Sequence, residues 1–207
     1  MTTTNPLLAG PRAKPAPADH PVHELLAARW SPRAFSDQEI SDASLHLLFE
    51  AARWAPSGSN EQPWSFVFAR RTDTEGFARI LESISPSNAT WAKGAAVLMI
   101  TAARINRLGK DIPAGSSQYD LGASVAMLSV QATALGISLH QMGGFDAARA
   151  QSLLGVPDSH RCHTAIAIGY PGDPALLPDD MRQRETVARV RNPLNSFVFS
   201  GSWGKGI

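Results

Sequence analysis

Apolar positions along the chain fall into alternating helical and extended stretches. After Ser41, a hydroxyl residue suited to cap a helix, Leu45, Leu48, Phe49 and Ala52 recur at helical spacing. A shorter helical pattern runs from Pro21 to Trp30, with Val22, Leu25, Leu26 and Arg29 on one side. Pro32 should hold Ser31 extended and stop that helix near Trp30. The second helix ends at the breaker cluster Ala55-Pro56-Ser57-Gly58-Ser59-Asn60, ahead of a strand expected over Trp64–Ala69. A helix over Gly76–Ile84 and a buried strand over Ala95–Thr101 follow. Residues 104–117, with Gly109, Pro113 and Gly115, read as a loop.

The longest helix is expected over Tyr119–Leu135, where Leu121, Val125, Leu128, Ala132 and Leu135 form the stripe. Its other faces carry the small residues Gly122, Ala123, Ser124, Ala126 and Ala134. A helix apolar or small nearly all round should be buried, with close approach of another helix, for instance that of a subunit mate. Gly136 should close it. A short strand over Ile137–Gln141, a helix from Asp146 to about Leu154 and a strand over His163–Gly169 complete the pattern. Strands interleaved with helices predict an α+β or α/β domain. This domain is expected over residues 20–207, after a flexible Pro-rich arm over residues 1–19. The tail after Arg182 carries Phe197, Val198, Phe199 and Trp203 without helical period, and packing across a subunit interface is one way to bury them.

Composition narrows the function classes. The 207 residues, 43% hydrophobic, suffice for one substantial core. A formal net charge of +1 and the lack of a long basic run argue against a nucleic-acid partner. Cys162 is the single cysteine, so an internal disulfide is excluded and a reducing compartment is suited. The six histidines form no zinc pattern, and no metal is expected. The longest apolar run is too short for a bilayer and no signal peptide opens the chain, so a cytoplasmic protein without membrane contact is expected.

Candidate chemistry lies in four places. Arg29-Trp30-Ser31-Pro32-Arg33 sets two guanidiniums around a helix end, either an anion grip or two solvated arginines. Pro56-Ser57-Gly58-Ser59-Asn60-Glu61-Gln62 gathers hydroxyls and carboxamides, groups that match the alternating donors and acceptors of a flavin edge, or forms an ordinary connecting loop. Met142-Gly143-Gly144-Phe145-Asp146 offers backbone N–H groups between a strand and a helix; it is not a dinucleotide-binding fingerprint. Arg189-Val190-Arg191 puts two arginines on one side of an extended segment, to complete an anion site or face water. No GxSxG nucleophile elbow is present.

In this order, the pieces resemble the nitroreductase family of FMN-dependent NAD(P)H oxidoreductases. The resemblance spans roughly residues 20–204 and rests on Arg29/Ser31/Arg33/Phe35, the loop Ala55–Trp64, Leu135-Gly136-Ile137, Gly144-Phe145-Asp146, Gly169-Tyr170-Pro171 and Arg189/Arg191/Pro193. It implies an α+β three-layer sandwich with a central, mostly antiparallel sheet, intertwined as a homodimer with FMN at the interface. It further implies that Arg29, Ser31 and Arg33, beside Trp30, hold phosphate, ribityl and ring oxygens, and that Arg189 and Arg191 add to the phosphate grip. Pro56, Ser57, Gly58, Asn60 and Gln62 would come from the other subunit. Met142, Gly143 and Gly144 would lie against the ring, with a backbone N–H near its reactive nitrogen. Arg33 and Gly144 become the catalytic candidates, NAD(P)H the donor, and a nitroaromatic, quinone or enone the small-molecule acceptor. Relatives that dehalogenate or fragment flavin, and a non-enzymatic FMN carrier, are the alternatives. Gly143 departs from the pattern, since many members carry Glu there.

Overall fold

The computed structural model describes residues 14–206. The beginning of the expected arm, residues 1–13, lies outside the described residues. Four strands, β1 (Trp64–Arg70), β2 (Val97–Arg104), β3 (Ser138–Met142) and β4 (His160–Gly169), form one sheet in the order β1-β2-β4-β3. Every neighbouring pair is antiparallel. Seven helices are described: α1 (Glu24–Ala28), α2 (Asp42–Arg53), α3 (Thr74–Ser83), α4 (Pro86–Ala92), α5 (Ser117–Ala134), α6 (Ala147–Leu154) and α7 (Asp179–Thr186).

Side-chain alternation along the central strands builds two cores. On β2, Leu98, Ile100 and Ala102 face one way, with Phe77 and Ile80 of α3, Trp91 of α4 and Ala150 of α6. Val97, Met99 and Ala103 face the other way, with Leu45 and Leu48 of α2 and Leu121, Val125 and Leu128 of α5. Helices on both faces of one sheet make three layers, as expected from the resemblance. A bulge sits where the register passes from Thr101↔Thr164 to Ala102↔Cys162. The extra residue, His163, lets Cys162 share a core with Ala165 despite their odd spacing.

Local chemistry explains the ends of these elements. The Ser41 hydroxyl accepts from Ser44 N–H at 3.1 Å, and the Asp146 carboxylate accepts from Arg149 N–H at 2.9 Å. Gly136 follows α5 with φ of 71°, a left-handed conformation that glycine adopts without a Cβ clash.

Three expectations change. The first helix is only Glu24–Ala28, and α4 and α7 occupy stretches the sequence pattern left without helices. Nor is α5 buried all round within the chain. Its stripe packs on α2 and the sheet, but Gly122 and Ala126 are exposed, as is Tyr119 (83%). The described end of the arm also makes contacts: Lys14 Nζ donates to the Glu185 carbonyl at 2.7 Å and Ala16 N–H to the Ala27 carbonyl at 2.8 Å.

A strap from Arg29 to Ser36 lies beside the chain leaving β4. Ser36 N–H donates to Tyr170 O and Gly172 N–H to Ala34 O, both at 2.9 Å. A Cβ on Gly172 would stand 2.4 Å from Phe35 C and 2.5 Å from Phe35 O. Backbone cannot rotate away as a side chain can. Gly172→Ala is therefore expected to cost about 1–3 kcal/mol by overpacking. A urea midpoint equal to the wild type's would refute it.

Candidate functional site

The strap positions the first arginines. Arg29 ends α1, and its Nη1 donates to the Ser31 hydroxyl at 3.3 Å. Burial first, then the positive charges of Arg189 and Arg191, pushes the Arg29 guanidinium below its ordinary range. Burial and then Arg191 lower Arg189 likewise. Among the described residues, none of the three forms an ion pair with a carboxylate. Arg189 Nη1 instead donates to the Lys14 and Ala27 carbonyls at 2.9 and 3.1 Å, and Arg191 Nη1 to the Val190 carbonyl at 2.7 Å. Arg29 and Arg189 are partly buried and Arg191 is exposed; with no carboxylate paired to them among the described residues, these mutually repelling cations form a cradle suited to a multivalent anion such as phosphate. Trp30 lies next to it, half-buried, with Lys14 Nζ 5.6 Å from its ring centre.

Arg33 is fixed differently. Its N–H and that of Ala34 donate to the Glu185 carboxylate at 2.9–3.1 Å, and its guanidinium stands 3.9 Å from the same group. Arg33 Cζ also lies 5.9 Å from the Trp91 ring centre. That ring packs against His140 of β3 at 4.4 Å between centroids and against Phe35 at 6.4 Å. Since a carbonyl only accepts, His140 Nδ1 donates to Pro32 O across 2.8 Å.

One turn earlier on α4, Asn88 Nδ2 donates to the Gly144 carbonyl at 3.3 Å, as does Ser85 N–H at 3.0 Å. A Cβ on Gly144 would stand 2.7 Å from Asn88 Nδ2 and 2.9 Å from Ser85 Oγ, so a larger residue there would displace these two side-chain ends. Gly143 has nothing within 4 Å of such a Cβ. Both glycines are exposed, and among the described residues neither N–H has a hydrogen-bond partner. Met142 is buried in the core, leaving only its backbone for a ligand. Thus α4 joins Arg33 to the glycine turn through Trp91 and Asn88.

The loop carrying Pro56, Ser57, Gly58, Asn60 and Gln62 stands apart. It leads into β1 at one edge of the sheet, whereas the glycine turn leaves β3 at the other, and the two edge strands are three spacings, about 14 Å, apart. Its described partners are local or lie on the 104–120 segment. Ser57 Oγ accepts from Gln62 N–H at 3.0 Å, and Gly58 N–H donates to the Asp120 carboxylate at 3.2 Å. Glu61 holds Arg104 at 2.8 Å and Arg107 at 3.2 Å. Ser59, Asn60 and Gln62 have φ of 52°, 55° and 45°. Three non-glycine residues in left-handed backbone within four positions is costly strain, which gathers at functional sites.

Two cavities flank these groups. One of about 570 Å³ opens between Ala16–Val22 and the tail from Arg189 to Phe197, sharing Arg189 and Arg191 with the cationic cradle. The other, about 210 Å³, lies between Gly58–Glu61 and the start of α5. Neither includes the glycine turn, which lies open on the surface of the single chain.

His140, Glu185, Trp91 and Asn88 were not singled out as site residues from sequence. The signal for α4 was Ser85-Pro86, a cap residue followed by proline at the first helical position. No comparable signal marks His140 or Glu185. Burial, the largest cause, drives the His140 imidazole from 6.5 down to about 4; the Pro32 hydrogen bond opposes this, while Arg33 and Arg29 push the same way. A lowered folded-state value means stability held above pH about 6.5 and lost as pH falls toward about 4, on the order of 3 kcal/mol in all. We expect His140→Leu to flatten this part of the acid limb. Equal acid sensitivity of the two proteins in urea melts would sink the assignment. Cys162 is buried, and burial pushes its thiol up, which makes it an unreactive core residue.

Comparison with known proteins agrees with this architecture. A solved structure described as an oxidoreductase containing FMN is 36% identical, with a TM-score of 0.87, over 92% of this chain and 96% of that one. An Archaeoglobus fulgidus protein provisionally named NADH dehydrogenase/NAD(P)H nitroreductase is 27% identical over 154 residues, 72% of this chain and 85% of its own. An uncharacterized 15.4 kDa protein of Mycolicibacterium smegmatis is 36% identical over 85 residues, 41% of this chain and 57% of its own length. The family model described as the nitroreductase family matches residues 26–90 and 81–170. With that match, the three-layer fold and the ordered motifs, the chain belongs to the nitroreductase family.

Proposed function

We propose that the protein is an FMN-dependent oxidoreductase that passes hydride from NAD(P)H through the flavin to a nitroaromatic, quinone or similar acceptor. The observation that carries this reading is the cradle of Arg29, Arg189 and Arg191, three mutually repelling cations with no carboxylate paired to them among the described residues. A flavin mononucleotide phosphate supplies the missing charge. The 36%-identical structure containing FMN supports the same cofactor. Bound FMN supplies the two-electron chemistry, and the protein supplies binding and orientation.

In this reading Arg29, Arg189 and Arg191 bind the phosphate, with Ser31 on the ribityl chain and Trp30 beside it. Arg33 places positive charge at the pyrimidine end of the ring. The N–H groups of Gly143 and Gly144, unpartnered among the described residues, would lie against the ring, with Gly144 as a donor toward its reactive nitrogen. The separated 56–62 loop reaches this site from a second copy of the chain, giving a homodimer with two sites. The exposed small face of α5 and the apolar tail residues Phe197 and Trp203 fit that assembly. Donor and acceptor take turns over one exposed ring face, a ping-pong order. NADPH is among the donors, and the protein works in the cytoplasm. Among the described residues, no helix is long and apolar enough to cross a membrane.

The test is the visible absorption spectrum of the purified protein, with FMN added if needed, before and after anaerobic NADH or NADPH. Flavin that bleaches supports the reading and ranks the donors. Bound flavin that stays oxidised with both would point to a carrier or another reductant. Absence of flavin binding would overturn the site.

A further inference from the structure

Arg33 is held at both its root and its tip. The peptide unit joining Pro32 to Arg33 is gripped on two sides: its oxygen accepts from His140 Nδ1 at 2.8 Å, and its N–H donates to Glu185 at 2.9 Å. That fixes the peptide plane and the direction in which the Arg33 side chain leaves the backbone. The guanidinium end lies over Trp91, whose ring is backed by His140. One imidazole therefore anchors the peptide unit and supports the aromatic platform.

The surroundings make this histidine unusual. Met142, Ala165 and Ala167 on the same sheet face are apolar, and a leucine would suit such a position. A polar ring there costs desolvation unless its hydrogen bond is made. The charged groups around it are Arg33 and Arg29 from the strap, with Glu185 of α7 on the far side of the shared peptide unit. A proton on the ring would set a third positive charge against the two arginines, and burial keeps the ring uncharged at neutral pH. The ring thus directs Arg33 without competing with it for negative charge.

We propose that His140 is a positioning residue which, together with Trp91, clamps the Arg33 guanidinium and through it sets the reduction potential of the flavin. This rests on the FMN reading above. Positive charge at the pyrimidine end favours the negative charge that reduction places there, so a loosened Arg33 weakens binding of reduced FMN more than of oxidised FMN.

The experiment measures the two-electron midpoint potential and the oxidised-FMN Kd for wild type, His140→Leu, His140→Gln, Trp91→Phe, Arg33→Ala and the His140→Leu/Arg33→Ala double variant. His140→Leu should cut the preference for reduced over oxidised FMN by roughly 3- to 10-fold, where tenfold is ~30 mV for a two-electron couple. The Gln carboxamide can still donate to Pro32 O and should recover part of the shift. In the Arg33→Ala background, His140→Leu should add nothing. A defect of folding alone would not vanish in that background, which separates positioning from general support. Trp91→Phe keeps an aromatic core and carries the same test if His140→Leu does not fold; it too should lower the potential. An unchanged potential in the folded variant, or an equal shift with and without Arg33, overturns the clamp while leaving the FMN reading intact. Wild-type protein that binds no FMN overturns the FMN reading, and this inference with it.

Discussion

Glu185→Ala should lower the stability of the protein by about 3–5 kcal/mol, the cost typical of removing one member of a buried polar set. The Glu185 carboxylate is 1% exposed and accepts from Arg33 N–H and Ala34 N–H, two donors of the strap. Removing it orphans both donors where water has little access, and each unsatisfied buried donor costs about 1–3 kcal/mol. It also loosens α7, whose sequence DDMRQRET presents no apolar stripe; among the described residues, Glu185 is its one fully buried side chain, beside the partly buried Met181 packed on the core. A chain of this size loses about 2–4 °C in Tm per kcal/mol, so a drop of roughly 6–20 °C is expected. Glu185→Gln retains one acceptor oxygen and should lose about half as much. Thermal and urea melts decide the matter, and a Glu185→Ala midpoint within about 0.5 kcal/mol of wild type would show that the strap finds other partners. The variant should also bind FMN more weakly, because Arg33 loses its anchor.

Arg29→Ala is expected to weaken FMN binding by about 10- to 100-fold, and the Arg29→Ala/Arg189→Ala pair by more. Charge-assisted hydrogen bonds contribute about 1.5–3 kcal/mol each, and tenfold in Kd is about 1.4 kcal/mol. Arg29→Lys keeps the charge without the planar fork and should recover part of the affinity. Stability without flavin should move the other way. Arg29 is pushed down by burial and by Arg189 and Arg191, so its loss relieves desolvation and repulsion. Flavin-free Arg29→Ala should then melt no lower than flavin-free wild type. Fluorescence titration with FMN and a melt without it give the two readouts. Unchanged FMN affinity would remove Arg29 from the phosphate grip, and a large loss of flavin-free stability would make it a structural residue instead.

The α2 and α5 stripes, the four strands and the caps at Ser41 and Asp146 were legible because each depends on a few consecutive residues. Period, hydroxyl or carboxylate at the cap, and glycine at the close all act within one or two turns. The helices that escaped are those where local physics is silent. Seven-residue α4 is too short for a repeating stripe, and polar α7 has none; one is held by Trp91 in the core and the other by Glu185 and Met181. The same division applies to the cation sites. Arg29, Arg33, Arg189 and Arg191 stand out in the sequence as pairs. That Arg29 joins Arg189 and Arg191 while Arg33 goes to Glu185 and Trp91 is visible only in three dimensions.

By itself the sequence determined the order of elements, the breaker loop at 55–60 and the family resemblance, all encoded in local spacing. The tertiary structure alone decided how far α5 is covered within one chain, since burial depends on what arrives from distant segments. It also decided that the 56–62 loop and the glycine turn lie at opposite edges of the sheet. His140 gained its place in the same way: an ordinary residue of a short strand becomes an anchor because Pro32, 108 positions away, presents a carbonyl that nothing local could foretell.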